Sequence, residues 1–171
     1  MSQLAITVLG HDRPGIIAAT THALADLGVN IEDSSMTLLR GHFAMTLVTD
    51  GSVSVEQASD ALFFLEADGT LTVTVRKMPD EDEVERGASY VLSVHGGDRP
   101  GIVAGVLGAV AQAGGNVTDL STRLAGGLYV LIAECDFPAS ADIARVHAAI
   151  SEAALSLGVT ATLRAVESDE L

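Results

Sequence analysis

Basic residues and cysteine are scarce in this sequence. Its 171 residues include 9 Lys or Arg against 23 Asp or Glu, for a formal net charge of −14, and a single cysteine, Cys135. One cysteine excludes an internal disulfide framework and a thiolate metal cage. The acidic excess repels phosphate backbones and no basic stripe offsets it, so we expect no direct contact with nucleic acid.

Long apolar runs are absent as well, although 48% of the residues are hydrophobic. Gly, Asp or Thr interrupts each apolar stretch well before the ~20 residues that a bilayer crossing needs. The first residues lack the basic and apolar regions of a signal peptide. We therefore expect a folded cytoplasmic protein that makes no contact with a membrane.

Catalytic and metal-binding constellations are missing too. The histidines, His11, His22, His42, His95 and His147, lack metal-ligand spacing. No Ser-His-Asp set, glycine-rich phosphate cradle or paired carboxylates can be assembled from the sequence. The sequence therefore predicts no catalytic residue, no metal site and no cofactor.

What the chain does have is an internal repeat. The stretch 12–16, Asp-Arg-Pro-Gly-Ile, returns at 98–102, and further identities follow at the same offset without a gap. They pair Ala18, Ala23, Ala25, Gly28, Asn30, Asp33, Ser35, Leu38 and Gly41 with Ala104, Ala109, Ala111, Gly114, Asn116, Asp119, Ser121, Leu124 and Gly127. A constant offset over so many positions indicates a duplicated module. We expect domains at 1–77 and 88–171, joined by an acidic linker at 78–87.

Each repeat has the pattern strand, helix, strand, strand, helix, strand. Alternating apolar residues predict strands, and the first helices are expected at about 14–27 and 100–113, with Asp12 and Asp98 at their starts and a glycine closing each. Turns at 40–41 and 126–127 predict hairpins, and Cys135 is expected in a strand as a buried small hydrophobe. This order predicts an α+β fold, two ferredoxin-like βαββαβ sandwiches, each a four-stranded antiparallel sheet with two helices on one face.

The helix of the second repeat is apolar on all sides between 102 and 110. One apolar stripe would suffice to cover a sheet. Gly105 and Gly108 each cost about 1 kcal/mol of helix propensity, which favours a close approach by a neighbour. Part of this helix is therefore expected to pack on a partner.

These residues resemble the ACT domain, a small-molecule regulatory module of amino-acid metabolism. The resemblance depends on Asp-Arg-Pro-Gly-Ile opening a helix after a strand, and on Gly-Val-Asn-Ile or Gly-Gly-Asn-Val starting the next strand. Two such domains without a catalytic domain are similar to the glycine cleavage system transcriptional repressor family. The resemblance implies side-by-side association through first helices and edge strands, and a homodimer.

In amino-acid-binding ACT domains the ligand lies between the loop after the first strand and the start of a neighbour's second strand. Backbone amides at a helix start and asparagine side chains suit a ligand carboxylate, and aspartate suits its ammonium. Serine-sensing members have a histidine where this chain has Gly10 and Gly96. The ligand-binding residues that the resemblance implies are Asp12, Gly15, Asn30, Asp98, Gly101 and Asn116.

Two readings of these residues stay open. Asp12 and Asp98 can serve only as helix caps and the Pro-Gly pairs only as turns; Arg13 and Arg99 can be surface charges or anion contacts. The first functional hypothesis is a non-enzymatic sensor that binds an amino acid such as glycine or serine and signals to a protein partner such as a transcription factor. The alternative is a ligand-independent interaction or dimerisation module, and an enzyme ranks third.

Overall fold

The structure is a computed structural model that describes residues 2–79 and 87–166. The chain divides near residue 82 into two compact units, called unit 1 and unit 2 below. Most of the predicted acidic linker, 78–87, lies outside the described residues, so the linker stays a prediction. Within the described residues, none of the helices combines the length and apolar character needed to cross a membrane.

Unit 1 contains one four-stranded antiparallel sheet and two helices. Its elements are β1 (Ser2–His11), α1 (Ile16–Asp26), β2 (Asn30–Leu39), β3 (His42–Gly51), α2 (Val55–Leu62) and β4 (Leu71–Lys77). The strands lie in the order β2-β3-β1-β4, which makes β2 and β4 the edges. A 3₁₀ turn, Phe63–Glu66, extends α2 toward β4.

Unit 2 repeats this topology. Its elements are β5 (Ala88–Gly97), α3 (Ile102–Gln112), β6 (Asn116–Ala125), β7 (Leu128–Phe137), α4 (Ile143–Ser156) and β8 (Val159–Ala165). The strand order β6-β7-β5-β8 matches that of unit 1. The α+β fold with two βαββαβ sandwiches is therefore confirmed.

The core of each unit lies between its helices and one face of its sheet. Leu4, Ile6 and Val8 of β1 are buried, as the period-2 pattern predicts. Cys135 is also buried, and desolvation raises the pKa of its thiol. Among residues 2–79 and 87–166, the opposite face of each sheet carries no helix, and its side chains are half-buried or exposed.

Helix ends and hairpin turns use the residues that their backbone angles require. Gly28 and Gly114 have φ of 70° and 76°. The amide of each glycine donates to the carbonyl three residues earlier, and the amide of the following residue donates to the carbonyl five residues before itself. These two hydrogen bonds form a Schellman motif. Helix α2 begins with a capping box, in which the side chains of Ser54 and Gln57 each accept a hydrogen bond from the backbone amide of the other. Arg40 and Gly41 both have positive φ, 51° and 82°, as a type I′ hairpin turn requires.

Candidate functional site

The loop between the first strand and first helix of each unit contains a Pro-Gly turn. Gly15 has φ 91° and ψ −2°, and Gly101 has φ 91° and ψ −3°. These angles match the third position of a type II turn, whose second position favours proline. The prolines therefore lie in the turn, and the helices begin two residues later than the sequence predicts, at Ile16 and Ile102.

The first turns of α1 and α3 have no side-chain cap. Gly15 and Gly101 occupy the cap positions, and among the described residues no side-chain cap hydrogen bond is made at either helix start. The expectation that Asp12 and Asp98 cap these helices is therefore wrong, because the type II turn separates the carboxylates from the helix. Within the part of the chain that the structure describes, the first amide hydrogens of each helix thus have no side-chain cap.

The surface in front of these glycines is open. A Cβ atom built on Gly15 or Gly101 would have no described atom within 4 Å. Glycine is therefore required there by the left-handed φ and not by crowding. A small molecule has room to approach the uncapped helix start.

The predicted site residues lie at two ends of each unit. Asp12 and Gly15 follow the end of β1, whereas Asn30 begins β2 and is paired with Asp50, which is also the register partner of Gln3 at the start of β1. Nine residues of strand separate the two ends, roughly 30 Å at about 3.3 Å per residue. One unit alone therefore cannot bring Asn30 to Asp12, and in unit 2 Asp98, Gly101 and Asn116 are distributed in the same way.

Arg13 and Arg99 have a structural partner within their own units. Arg13 donates to the carbonyl of Leu65 at 3.3 Å and lies 3.6 Å from the carboxylate of Asp68. Arg99 donates to the carbonyl of Leu157 at 3.5 Å. Each arginine thus reaches the C-terminal end of the second helical segment of its unit, where a cation is favoured, so an anion contact is not needed to explain it.

Gly10 and Gly96 leave no space for the histidine of serine-sensing ACT domains. A Cβ on Gly10 would lie 2.1 Å from the carbonyl oxygen of Thr70, and one on Gly96 would lie 2.7 Å from a methyl group of Val159. The last strand of each unit begins directly beside these glycines, where Gly10 pairs with Leu71 and Gly96 with Val159. Any side chain there would displace that strand.

Apolar side chains are exposed along the outer strand of each sheet, on the face that carries the helices. Met36 and Leu38 of β2 are each 46% exposed, and Leu120 and Leu124 of β6 are 44% and 50% exposed. Their register partners on β3 and β7 include Met45 and other core residues. The helices therefore do not reach the edge of the sheet, and an apolar strip remains uncovered there.

Sequence reasoning missed one pair of neighbouring side chains that are chemically able to bind a ligand. His11 of β1 and His42 of β3 are direct register partners at the end of the unit 1 sheet. They lie 31 positions apart in the sequence, so their spacing gives no signal. The turn at Arg40 and Gly41 fixes the start of β3, but only the register of β3 against β1 brings the two histidines together.

Comparison with known proteins identifies a family. The profile of the family described as ACT domain matches residues 2–75 and residues 89–164. Each match covers almost the whole of one unit. The matched segments together span well over half of the chain.

Individual relatives match parts or all of the chain. The glycine cleavage system transcriptional repressor of Escherichia coli is 26% identical over 171 residues, covering 95% of this chain and 90% of that protein. A UPF0237 protein of Methanopyrus kandleri is 48% identical over 50 residues, 29% of this chain and 56% of that protein. The chain thus spans little more than half the length of the second relative.

A solved structure is similar to this chain over both repeats. The crystal structure of an unknown protein from Galdieria sulphuraria superposes with a TM-score of 0.83 at 27% identity, over 97% of this chain and 99% of that one. The duplicated fold therefore recurs in a protein of nearly the same extent.

Proposed function

Because this chain belongs to the ACT domain family through both of its halves, we propose that it is a non-enzymatic regulatory protein that binds an amino acid such as glycine or serine. Its similarity to a protein named as a glycine cleavage system transcriptional repressor supports a role in regulation. That similarity extends over nearly the full length of both proteins. The proposed output is a signal to a protein partner.

The uncapped helix start in each unit is the observation that carries this proposal. Gly15 and Gly101 leave open space before a helix whose first amides have no side-chain partner. A free amino acid has a carboxylate that needs such donors, and the helix dipole favours negative charge there. Asp12 and Asp98 are exposed and do not cap the helices, so their carboxylates are suited to accept hydrogen bonds from the ammonium group.

The ligand is proposed to bind where two ACT units meet. Asn30 and Asn116 lie at the other end of the sheet from the helix start of their own unit. Each asparagine can therefore contact only a ligand that is bound at the helix start of a neighbouring unit. Association of two edge strands in opposite directions would bring one unit's Asn to the other's loop. Ligand binding would then favour the associated form by its differential affinity.

A protein partner, such as a transcription factor, is proposed to carry the signal. The net charge of −14 disfavours contact of this chain with a phosphate backbone. A regulator of gene expression with this charge would therefore act through a protein that binds DNA. Mixing experiments with the partner in the presence and absence of the amino acid would measure the coupling.

Calorimetric titration tests the sensing half. Glycine, serine and the other common amino acids are titrated at millimolar concentration into the full chain and into Asn30→Ala and Asn116→Ala variants. Binding heat is expected from one or a few amino acids. The affinity for these amino acids is expected to fall at least about tenfold when the asparagines are lost. The controls are Ser35→Ala and Ser121→Ala, which alter exposed residues of the same strands.

Absence of heat and of thermal stabilisation for every amino acid would remove the sensing function. The uncovered apolar strips on β2 and β6 then favour the second candidate, a dimerisation module without a ligand. Sedimentation with and without amino acids separates the two functions. Only the sensor changes its association state when the ligand is added.

A further inference from the structure

Two exposed histidines face each other across the end of the unit 1 sheet. His11 and His42 are register partners on neighbouring antiparallel strands. The amide of Asp12 donates to the carbonyl of Gly41 at 3.0 Å, so the adjacent pair, His11 with His42, is of the non-hydrogen-bonded kind. In such a pair the Cα atoms lie about 4.5 Å apart and both side chains leave the same face.

Both imidazoles are available to a ligand. Each histidine is exposed, and among residues 2–79 and 87–166 neither ring takes part in a hydrogen bond or an ion pair. Leu39, the register partner of His42, lies on the same face and is 52% exposed. Leu9, two residues before His11, lies there too and is 44% exposed, so apolar side chains border the pair.

The backbone that carries the rings is fixed on both strands. The amide of His11 donates to the carbonyl of Thr70 at 2.9 Å on the side away from His42. His42 directly follows the tight turn formed by Arg40 and Gly41. A ligand that bridges the rings therefore has only side-chain rotamers to order, which lowers the entropy cost of binding.

We propose that His11 and His42 form a two-histidine clamp for a divalent transition-metal ion. Neutral imidazole nitrogen is a preferred ligand of Zn²⁺, Cu²⁺ and Ni²⁺, whereas Mg²⁺ prefers oxygen. The strongly acidic chain attracts cations to its surface. The nearest fixed positive charges along the chain are Arg40, two residues before His42, and Arg13, two residues after His11. Arg13 is paired with the carboxylate of Asp68 at 3.6 Å.

The clamp supplies two ligands and leaves the other coordination positions to water or a small molecule. Within the described part of the chain, no group of three or more His, Cys, Asp or Glu side chains is placed to hold a metal. Structural zinc sites are closed by four protein ligands. The proposed ion is therefore exchangeable and does not hold the fold together.

Unit 2 lacks the clamp. The positions that match His11 and His42 are Gly97 and Leu128, which are likewise register partners. His95 is an exposed strand histidine in unit 2, but its register partner is Val130. The site is therefore expected once per chain, and His95 provides a matched single-histidine control.

Metal titration of the full chain, purified without a histidine tag, tests the clamp at neutral pH. Calorimetry is expected to give one Ni²⁺, Cu²⁺ or Zn²⁺ per chain and no binding of Mg²⁺. The Cu²⁺ electron paramagnetic resonance spectrum is expected to show two coordinated imidazole nitrogens. The thermal midpoint should rise on addition of metal, because binding to the folded state stabilises it.

Variants decide whether both rings are needed. His11→Asn and His42→Asn are each expected to weaken binding at least about tenfold and to leave one imidazole nitrogen in the spectrum, while His95→Asn keeps wild-type affinity. Wild-type affinity in either clamp variant, or an equal loss in His95→Asn, would overturn the proposal. The thermal midpoints of the variants without metal are expected to match that of the wild type, which shows that the variants are folded. If His42→Asn is not folded, His42→Gln is used in its place.

Discussion

Gly10 shows how one residue without a side chain fixes the chemistry of the loop beside it. Its φ is 154°, and the start of β4 lies against it so closely that a Cβ would reach the carbonyl of Thr70. In this chain position 10 therefore contributes no side chain to the loop after β1.

Gly10→Ala is expected to destabilise unit 1 by about 2–3 kcal/mol, because the added methyl group forces β4 away from β1. Differential scanning calorimetry of the full chain would show a lower midpoint for the transition of unit 1. Gly97→Ala is the control: it lies at the matching strand end of unit 2, one residue from Gly96, and its Cβ would meet no described atom within 4 Å. Equal shifts for the two variants would contradict the crowding argument.

Thr70 donates hydrogen bonds to the carboxylate of Asp68, and its carbonyl accepts a hydrogen bond from the amide of His11. The hydroxyl of Thr70 donates to Asp68 at 2.6 Å and the amide of Thr70 donates to it at 3.0 Å. These hydrogen bonds, with a smaller contribution from the charge of Arg13, lower the pKa of Asp68. A carboxyl group with a lowered folded-state pKa stabilises the fold above its ordinary pKa, and this stabilisation is lost as the pH falls through the lowered value.

Thr70→Val is expected to raise the pKa of Asp68 toward its ordinary value, since the hydroxyl is the largest cause of the shift. Carbon-13 NMR of the side-chain carboxyl during an acid titration would measure the change. Thr70→Ser keeps the hydroxyl and is expected to keep the lowered pKa. An unchanged pKa in Thr70→Val would mean that the Thr70 hydroxyl does not donate to Asp68 in solution.

At the scale of elements, each unit ties its first loop to the end of its second helical segment. Arg99, from the loop before α3, donates to the carbonyl of Leu157 at the end of α4. Its guanidinium covers Gly158, where a Cβ would lie 2.6 Å from the arginine. The turn that presents the helix start of α3 is therefore braced by α4.

Arg99→Ala is expected to lower the stability of unit 2 by about 0.5–1 kcal/mol, because α4 loses a donor to its last carbonyls and a cation near its C-terminus. Urea unfolding followed by circular dichroism would measure the loss. Arg123→Ala removes an exposed arginine of β6 and is expected to change stability by less than about 0.5 kcal/mol. Equal losses would point to net charge as the cause.

The order of the elements could be predicted because each one leaves a local pattern. Leu4, Ile6 and Val8 alternate with residues of the open face, and Gly28 closes α1 at the position where a left-handed residue is needed. The helix start could not be predicted with the same accuracy. Pro14 suits both the first turn of a helix and the second position of a type II turn, and the φ of Gly15 decides for the turn.

At the scale of the whole molecule, local patterns carry much less information about the site. Asp12 and Asn30 are separated by α1 and lie at opposite ends of one sheet, whereas His11 and His42 are farther apart in sequence yet adjacent. Both relations follow from the register of β1 against β3, two strands that are separated in the sequence by α1 and β2. The residue types suited to a ligand could be predicted from the sequence, but their grouping could not.

Strand order also leaves open edges at which association can be tested. The outer strands β2 and β6 have one neighbour each, so half of their backbone groups face outward. The apolar strip beside α3 contains Leu120 and Leu124, both more than two-fifths exposed. Each of these side chains is already about half buried, so covering the rest contributes roughly 1 kcal/mol per leucine, which favours pairing of edges.

Leu124→Glu is therefore expected to shift the sedimentation of the full chain from a dimer toward a monomer, with dissociation raised about tenfold to a hundredfold. A charge placed on the strip must be desolvated when a second edge covers it. Leu155→Glu is the control, because Leu155 is 78% exposed on α4, which packs against β8 at the other edge of the sheet. A wild-type chain that sediments as a monomer, with or without an amino acid, would contradict association through these edges.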